Sequence, residues 1–152
     1  MTTNLVAEFV FTRLDYGNAL SAGLPCSSVA PYQRVINVAV RLVNGLRPYD
    51  HVTQAAIDLH WLLAEARVQY RLCLLVHRDV ADRAPAYITD LLQPAATMSS
   101  RHPVLRSATT DSLYVPRTRL LFGERAFQVA APKMWNQLPS ALQKILTLSR
   151  NN

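Results

Sequence analysis

The sequence has few of the residues that catalysis or metal binding needs. No two of its ten acidic side chains are adjacent, which leaves out the Asp-Asp pair that commonly helps to hold the two metal ions of a polymerase. Asp79 and Asp82 have helical spacing, but Arg78 and Arg83 flank them, and this is the pattern of a solvated ion-pair face. Two cysteines, Cys26 and Cys73, allow one disulfide at most and exclude a disulfide scaffold. With four histidines they show none of the paired spacings of a zinc site. The four glycines are scattered, so there is no glycine-rich phosphate loop. Ser27-Ser28 and Ser99-Ser100 lack the bracketing glycines of a nucleophile elbow. Neither a metal, a cofactor nor a small-molecule substrate is expected. No apolar run approaches the roughly 20 residues that span a bilayer, and no membrane association is expected. The N-terminus lacks a basic n-region and Glu8 interrupts its first apolar stretch, which predicts no signal peptide.

What is present suits a packed chain. Of 152 residues, 50% are hydrophobic, 8% aromatic and 17% charged, the composition of a compact fold rather than a disordered one. Net charge is +6, and its distribution says more than its total. Residues 1–90 hold eight basic and eight acidic side chains, whereas residues 91–152 hold eight basic and only two acidic, Asp111 and Glu124. All the excess positive charge therefore sits in the C-terminal portion, which favours an anionic partner there.

Apolar periodicity predicts a mainly α fold, an irregular helical domain. Leu5, Val6, Phe9, Val10 and Leu14 recur on one helical face, ending near Gly17. Pro31 is placed as a helix start, and Tyr32, Val35, Ile36, Ala39, Val40 and Val43 follow at helical spacing up to an Asn44-Gly45 stop. Thr53 is the expected N-cap of a short helix through His60, and His51 a capping or hydrogen-bonding residue. The longest helix is expected from Leu63 to Asp82, with Ala66, Tyr70, Cys73, Leu74 and His77 on its apolar stripe and Arg67, Arg71 and Arg78 on another face. Pro85 begins a short helix through Leu92. Gln93 to Ser112, with Pro94, Pro103 and many Ser and Thr residues, reads as an exposed linker. Residues 113–122 offer at most a small β-hairpin. Glu124 to Gln137 is expected to be helical with a break at Pro132, and Ser140 to Leu146 forms a last helix. The organisation is thus residues 1–92 helical, 93–112 linker, and 113–152 a basic tail region packing on the helices.

The most informative stretch runs from Leu113 to Pro139. Arg117, Arg119, Arg125 and Lys133 alternate there with Tyr114, Phe122, Phe127 and Trp135. Cations meet phosphates and rings can stack on bases, so this is the composition of a nucleic-acid surface. Phe127 and Trp135, eight residues apart, are better placed as core anchors. The steps Val115-Pro-Arg-Thr-Arg119, Gly123-Glu-Arg-Ala-Phe127 and Ala130-Ala-Pro-Lys-Met-Trp-Asn-Gln-Leu-Pro139 resemble the far C-terminal end of LINE-type (non-LTR) retrotransposon polyproteins of the jockey superfamily. Upstream, Thr12-Arg-Leu-Asp-Tyr16 with Asn18 and Gly23-Leu-Pro25, the block Gln33-Arg-Val-Ile-Asn-Val-Ala-Val-Arg-Leu-Val43, Asp50-His51 with Leu59-His-Trp-Leu62, and Ala84-Pro85 with Tyr87 and Asp90-Leu-Leu92 are similar to that family's blocks in the same order. Gly17 stands where the family usually has Cys, so that cysteine is not needed as a ligand here.

The resemblance implies a thumb-like region and tail beyond the polymerase palm of a larger open reading frame whose activity is target-primed reverse transcription. It implies a non-catalytic piece, not an enzyme in itself, that binds RNA or an RNA–DNA duplex through Arg117, Arg119, Arg125 and Lys133, with Arg101 and Arg106 as a second contact. A nuclear or cytoplasmic location follows if the chain behaves as the parent element does. Two other readings remain. The chain is either a structural module docking on the palm through Leu5, Val6, Phe9 and Val10, or a translated relic of a mobile element with no selected function.

Overall fold

A computed structural model of the chain describes residues 2–95, 97 and 112–148. Seven α-helices run among these residues: α1 (Thr2–Asp15), α2 (Cys26–Asn44), α3 (Thr53–Asp58), α4 (Ala64–Val80), α5 (Ala86–Thr89), α6 (Phe127–Asn136) and α7 (Ser140–Leu148). The fold is mainly helical and irregular, with no strand or sheet among the described residues. Two compact units divide it, residues 1–69 and residues 70–152, and α4 contributes residues to both. No described helix is long and apolar enough to cross a membrane.

In the first unit α1 and α2 pack together. The expected apolar face of α1 splits. Val6, Val10 and Leu14 are half-buried, but Leu5 and Phe9 point to solvent, and Phe11 takes the inner position instead. Phe11 sets this rotation because its ring meets Trp61 edge-on, centroids 4.7 Å apart at 84°, and T-shaped pairs add to simple burial. The Arg67 guanidinium also lies over this ring, 4.0 Å from the Phe11 centroid. Arg67 in turn grips Asp15 with two bonds, Nε to Oδ1 at 3.0 Å and Nη2 to Oδ2 at 2.7 Å. Trp61, Phe11, Arg67 and Asp15 thus form one chain of contacts, and Arg67 is no surface cation.

α2 begins five residues before Pro31, at Cys26, so Pro31 is its sixth residue and not its start. The missing N–H forfeits one bond near the helix N-terminus, a smaller cost than in the middle. Ile36, Ala39 and Val40 are buried as predicted, while Tyr32 and Val35 are exposed. Gln33 links two helices: its Nε2 donates to Asn37 Oδ1 at 2.8 Å and its Oε1 accepts the Ala64 N–H at 2.9 Å. That bond satisfies one of the first-turn donors of α4 that have no partner within the helix. Ile36, Val40, Val52, Ala56 and Ala64 form the centre of the core, with Phe11, Leu14, Val29 and Trp61 packed around it.

Three helices end in the same way. Gly45, His60 and Asp82 have φ of 62°, 56° and 54°. In each case the following N–H reaches back five residues: Leu46 to Arg41 O (3.0 Å), Trp61 to Ala56 O (2.8 Å) and Arg83 to Arg78 O (2.8 Å). These left-handed turns satisfy the last carbonyls. Only the first has the glycine that announces such a turn. α3 accordingly stops at Asp58, short of His60, and Thr53 is its first residue, with Val52 before it and no side-chain cap. In the turn ahead of α3, Asp50 Oδ2 accepts the Arg47 N–H at 2.8 Å.

α4 covers Ala64–Val80, close to expectation, but its phase differs. Ala64, Val68, Leu72 and Val76 are the buried stripe, at strict four-residue spacing, while Tyr70 is exposed. Cys73 and His77 are half-buried. Burial pushes the Cys73 thiol pKa up, so the group stays protonated, whereas Cys26 is exposed. α5 follows Pro85, whose extended backbone makes it the N-cap.

In the second unit the buried side chains include Leu92, Leu113, Val129, Ala130, Ala131, Pro132, Trp135 and Gln143. Pro132 does not break α6; like Pro31, it is the sixth helical residue, and it is wholly buried. The helix expected over Glu124 to Gln137 forms as α6; its first turn is instead a separate 3₁₀ turn over Gly123–Arg125, with Ala126 extended between them. No hairpin forms within 113–122; the pairing there is a single antiparallel bridge between Pro94 and Leu113. Ala95 N–H donates to Ser112 O at 3.0 Å and Tyr114 N–H to Gln93 O at 2.8 Å. The two ends of the expected linker therefore lie side by side. Residues 96 and 98–111 of that expected linker lie outside the described residues.

Leu113 itself is held by a side chain. Its N–H donates to Asn136 Oδ1 at 3.0 Å and its C=O accepts from Asn136 Nδ2 at 2.8 Å. The amide stands in for a neighbouring strand. One residue earlier, Trp135 is fully buried, and its C=O accepts from Gln143 Nε2 of α7 at 2.7 Å. Core anchoring is thus the role of Trp135.

Candidate nucleic-acid interface

The six cations expected to meet phosphate divide into three groups. Arg101 and Arg106 lie outside the described residues. Arg117 and Arg119 are exposed, and no ion pair engages either among the described residues. Arg125 and Lys133 are half-buried and already have neighbours. Lys133 Nζ lies 3.6 Å from Glu124 Oε2, a partly exposed pair. Such pairs contribute little to stability, but Glu124 cancels much of the field that Lys133 would offer a phosphate. The Arg125 guanidinium lies 5.7 Å from the Phe122 centroid, and its Nε is buried with no hydrogen-bond partner among the described residues.

A tight loop presents Arg119. A side chain at Gly123 would stand 3.2 Å from Cβ and Cγ2 of Thr118. That is tighter than most real contacts of this kind, so the lack of a Cβ eases the approach of residues 118 and 123. The residues between them project outward: Leu120, Leu121 and Phe122 are 73%, 85% and 79% exposed. The next turn is fastened by Arg125 N–H to Phe122 O at 3.2 Å and Ala126 N–H to Gly123 O at 3.1 Å. Gly123 immediately after Phe122 is the sequence signal that marks the turn.

Of the four aromatics in the stretch, Trp135 is buried, Phe127 is half-buried, Tyr114 is at the margin of exposure and Phe122 projects. Elsewhere in the chain two arginines are engaged within the fold: Arg67 is paired to Asp15, and Arg41 donates through Nη2 to Asp50 O at 3.2 Å. Among the described residues no group of three or more His, Cys, Asp or Glu is placed to hold a metal ion. Searches against protein-family models, curated proteins and solved structures find no match to this chain.

Proposed function

We propose that this chain is the non-catalytic C-terminal portion of a LINE-type reverse transcriptase and that it contributes RNA or RNA–DNA binding to target-primed reverse transcription. The observation that carries the binding part is the pair Arg117 and Arg119, exposed at the glycine-closed loop, in the portion that holds all the excess charge. The ancestry rests on the resemblance from Thr12 to Pro139. Much of that resemblance lies in residues that build the fold: Asp15, Gln33, Asn37, Trp61, Trp135 and Asn136 all make the contacts described above. These residues support a shared architecture, and Arg117 and Arg119 carry the partner.

Binding of single-stranded RNA over a salt series tests the reading. Removing one phosphate contact flattens the log–log salt slope by about 0.7 for a single strand. Arg117→Ala with Arg119→Ala is expected to flatten it by about 1.4. Adding Arg125→Ala and Lys133→Ala is expected to do less than removing two further contacts would, because Glu124 and Phe122 already occupy those cations. A double variant that binds with the parent's slope sinks the proposal.

A second reading is favoured by Leu5 and Phe9, which α1 exposes at 67% and 76%. In it the chain is a module whose α1 docks on a polymerase palm. Self-association relieved by Leu5→Ser with Phe9→Ser, in a chain without RNA affinity, would support it over the first.

A further inference from the structure

Leu120, Leu121 and Phe122 are three consecutive large apolar side chains exposed to solvent between Thr118 and Gly123. Burial of such side chains is favourable, and here it goes unrealised for Phe122. One face of the Phe122 ring has the Arg125 guanidinium over it at 5.7 Å, within the distance of a cation–π contact. Arg125 is packed in place, its Nε buried. The ring as a whole is 79% exposed, so its other face is open. From Ser112 to Gly123 the sequence has no acidic residue, and Arg117 and Arg119 stand just before the ring.

We infer that Phe122 is a base-stacking platform, on whose open face one unpaired base of a single-stranded nucleic acid stacks while Arg117 and Arg119 take the flanking phosphates. The inference rests on the nucleic-acid reading above and adds its substrate class. Paired bases present their faces only to their own neighbours, so a projecting ring meets an unpaired base far more readily. A cation behind the ring draws electron density from it, which favours the π face of a base on the opposite side and gains nothing from a lipid tail. Leu120 and Leu121 offer apolar surface to the sugar beside that base. Since any base has a π face, the contact is sequence-tolerant.

The test uses the full chain and a fluorescent oligouridine RNA over a salt series, with a second oligonucleotide carrying 2-aminopurine. Phe122→Ala is expected to weaken binding about tenfold at every salt concentration with an unchanged slope, because stacking releases no counterions. Phe122→Trp is expected to restore affinity and Phe122→Leu not to. The parent is expected to quench 2-aminopurine emission and Phe122→Ala to leave it bright. If Phe122→Leu binds as the parent does, apolar contact and not stacking operates, and the inference is overturned. It is equally overturned if Phe122→Ala leaves RNA affinity intact but releases the chain from phosphatidylserine vesicles. The two readings fail differently. A parent that binds no RNA removes the proposed function. A parent whose slope flattens on removal of Arg117 and Arg119, but whose affinity ignores Phe122, removes the stacking platform alone.

Discussion

Asn136 shows how much one side chain can do in a chain whose described residues form no sheet. Its amide has a donor and an acceptor at the spacing of a peptide group, and Leu113 uses both. Asn136→Asp keeps the acceptor, removes the donor and sets a carboxylate beside the Leu113 carbonyl. The expected cost is about 2 kcal/mol, since a part-buried carbonyl is left without its partner and meets a charge. A lower urea midpoint, together with faster exchange of the Leu113 amide hydrogen, checks it. Arg67 is the parallel case in the first unit. Both residues lie in blocks with regular apolar spacing, and neither role follows from spacing. A long-range partner, 52 residues away for Arg67 and 23 for Asn136, leaves no local trace.

At the scale of elements, the helices are legible in the sequence and their rotations less so. α2 buries the middle of its expected face, Ile36, Ala39 and Val40, because its apolar positions are numerous enough to define one side. α1 and α4 are different: each carries apolar residues on two faces, and Phe11 against Trp61, or the even run Ala64, Val68, Leu72 and Val76, decides between them. Prolines mislead for one reason. Pro31 and Pro132 both sit six residues into a helix, where the missing bond is tolerated, although the usual rule puts them at its edge. The candidate site is legible as composition, but the exposure of Phe122 comes from a turn that Gly123 closes, and the pairing of Glu124 with Lys133 depends on how that turn meets α6. Helix ends give a prediction. His60 adopts a left-handed conformation that costs a side chain about 1–2 kcal/mol, so His60→Gly is expected to raise stability by about 1 kcal/mol. Gly45→Ala is expected to lower it by a similar amount, with nothing within 4 Å of the new methyl to add a clash. Paired chemical-denaturation curves decide both, and a destabilised His60→Gly would show that the imidazole itself contributes.

At the scale of the whole molecule, charge position matters more than charge total. Arg34 and Arg78 are exposed and belong to the portion with no net charge. Arg34→Ala with Arg78→Ala lowers net charge by as much as Arg117→Ala with Arg119→Ala does. The first pair is nevertheless expected to leave the RNA salt slope unchanged, because counterions are released only where phosphates are met. Equal slopes for the two double variants, measured side by side, would mean that the molecule attracts RNA as a diffuse cation with no local site. The pairing of Ala95 with Ser112 and of Gln93 with Tyr114 reaches further than stability. With both ends of the intervening stretch fixed beside each other, its length is nearly a free variable, since doubling a loop costs only about 0.6 kcal/mol. An insertion between Ala95 and Ser112 is therefore expected to cost little in closure entropy.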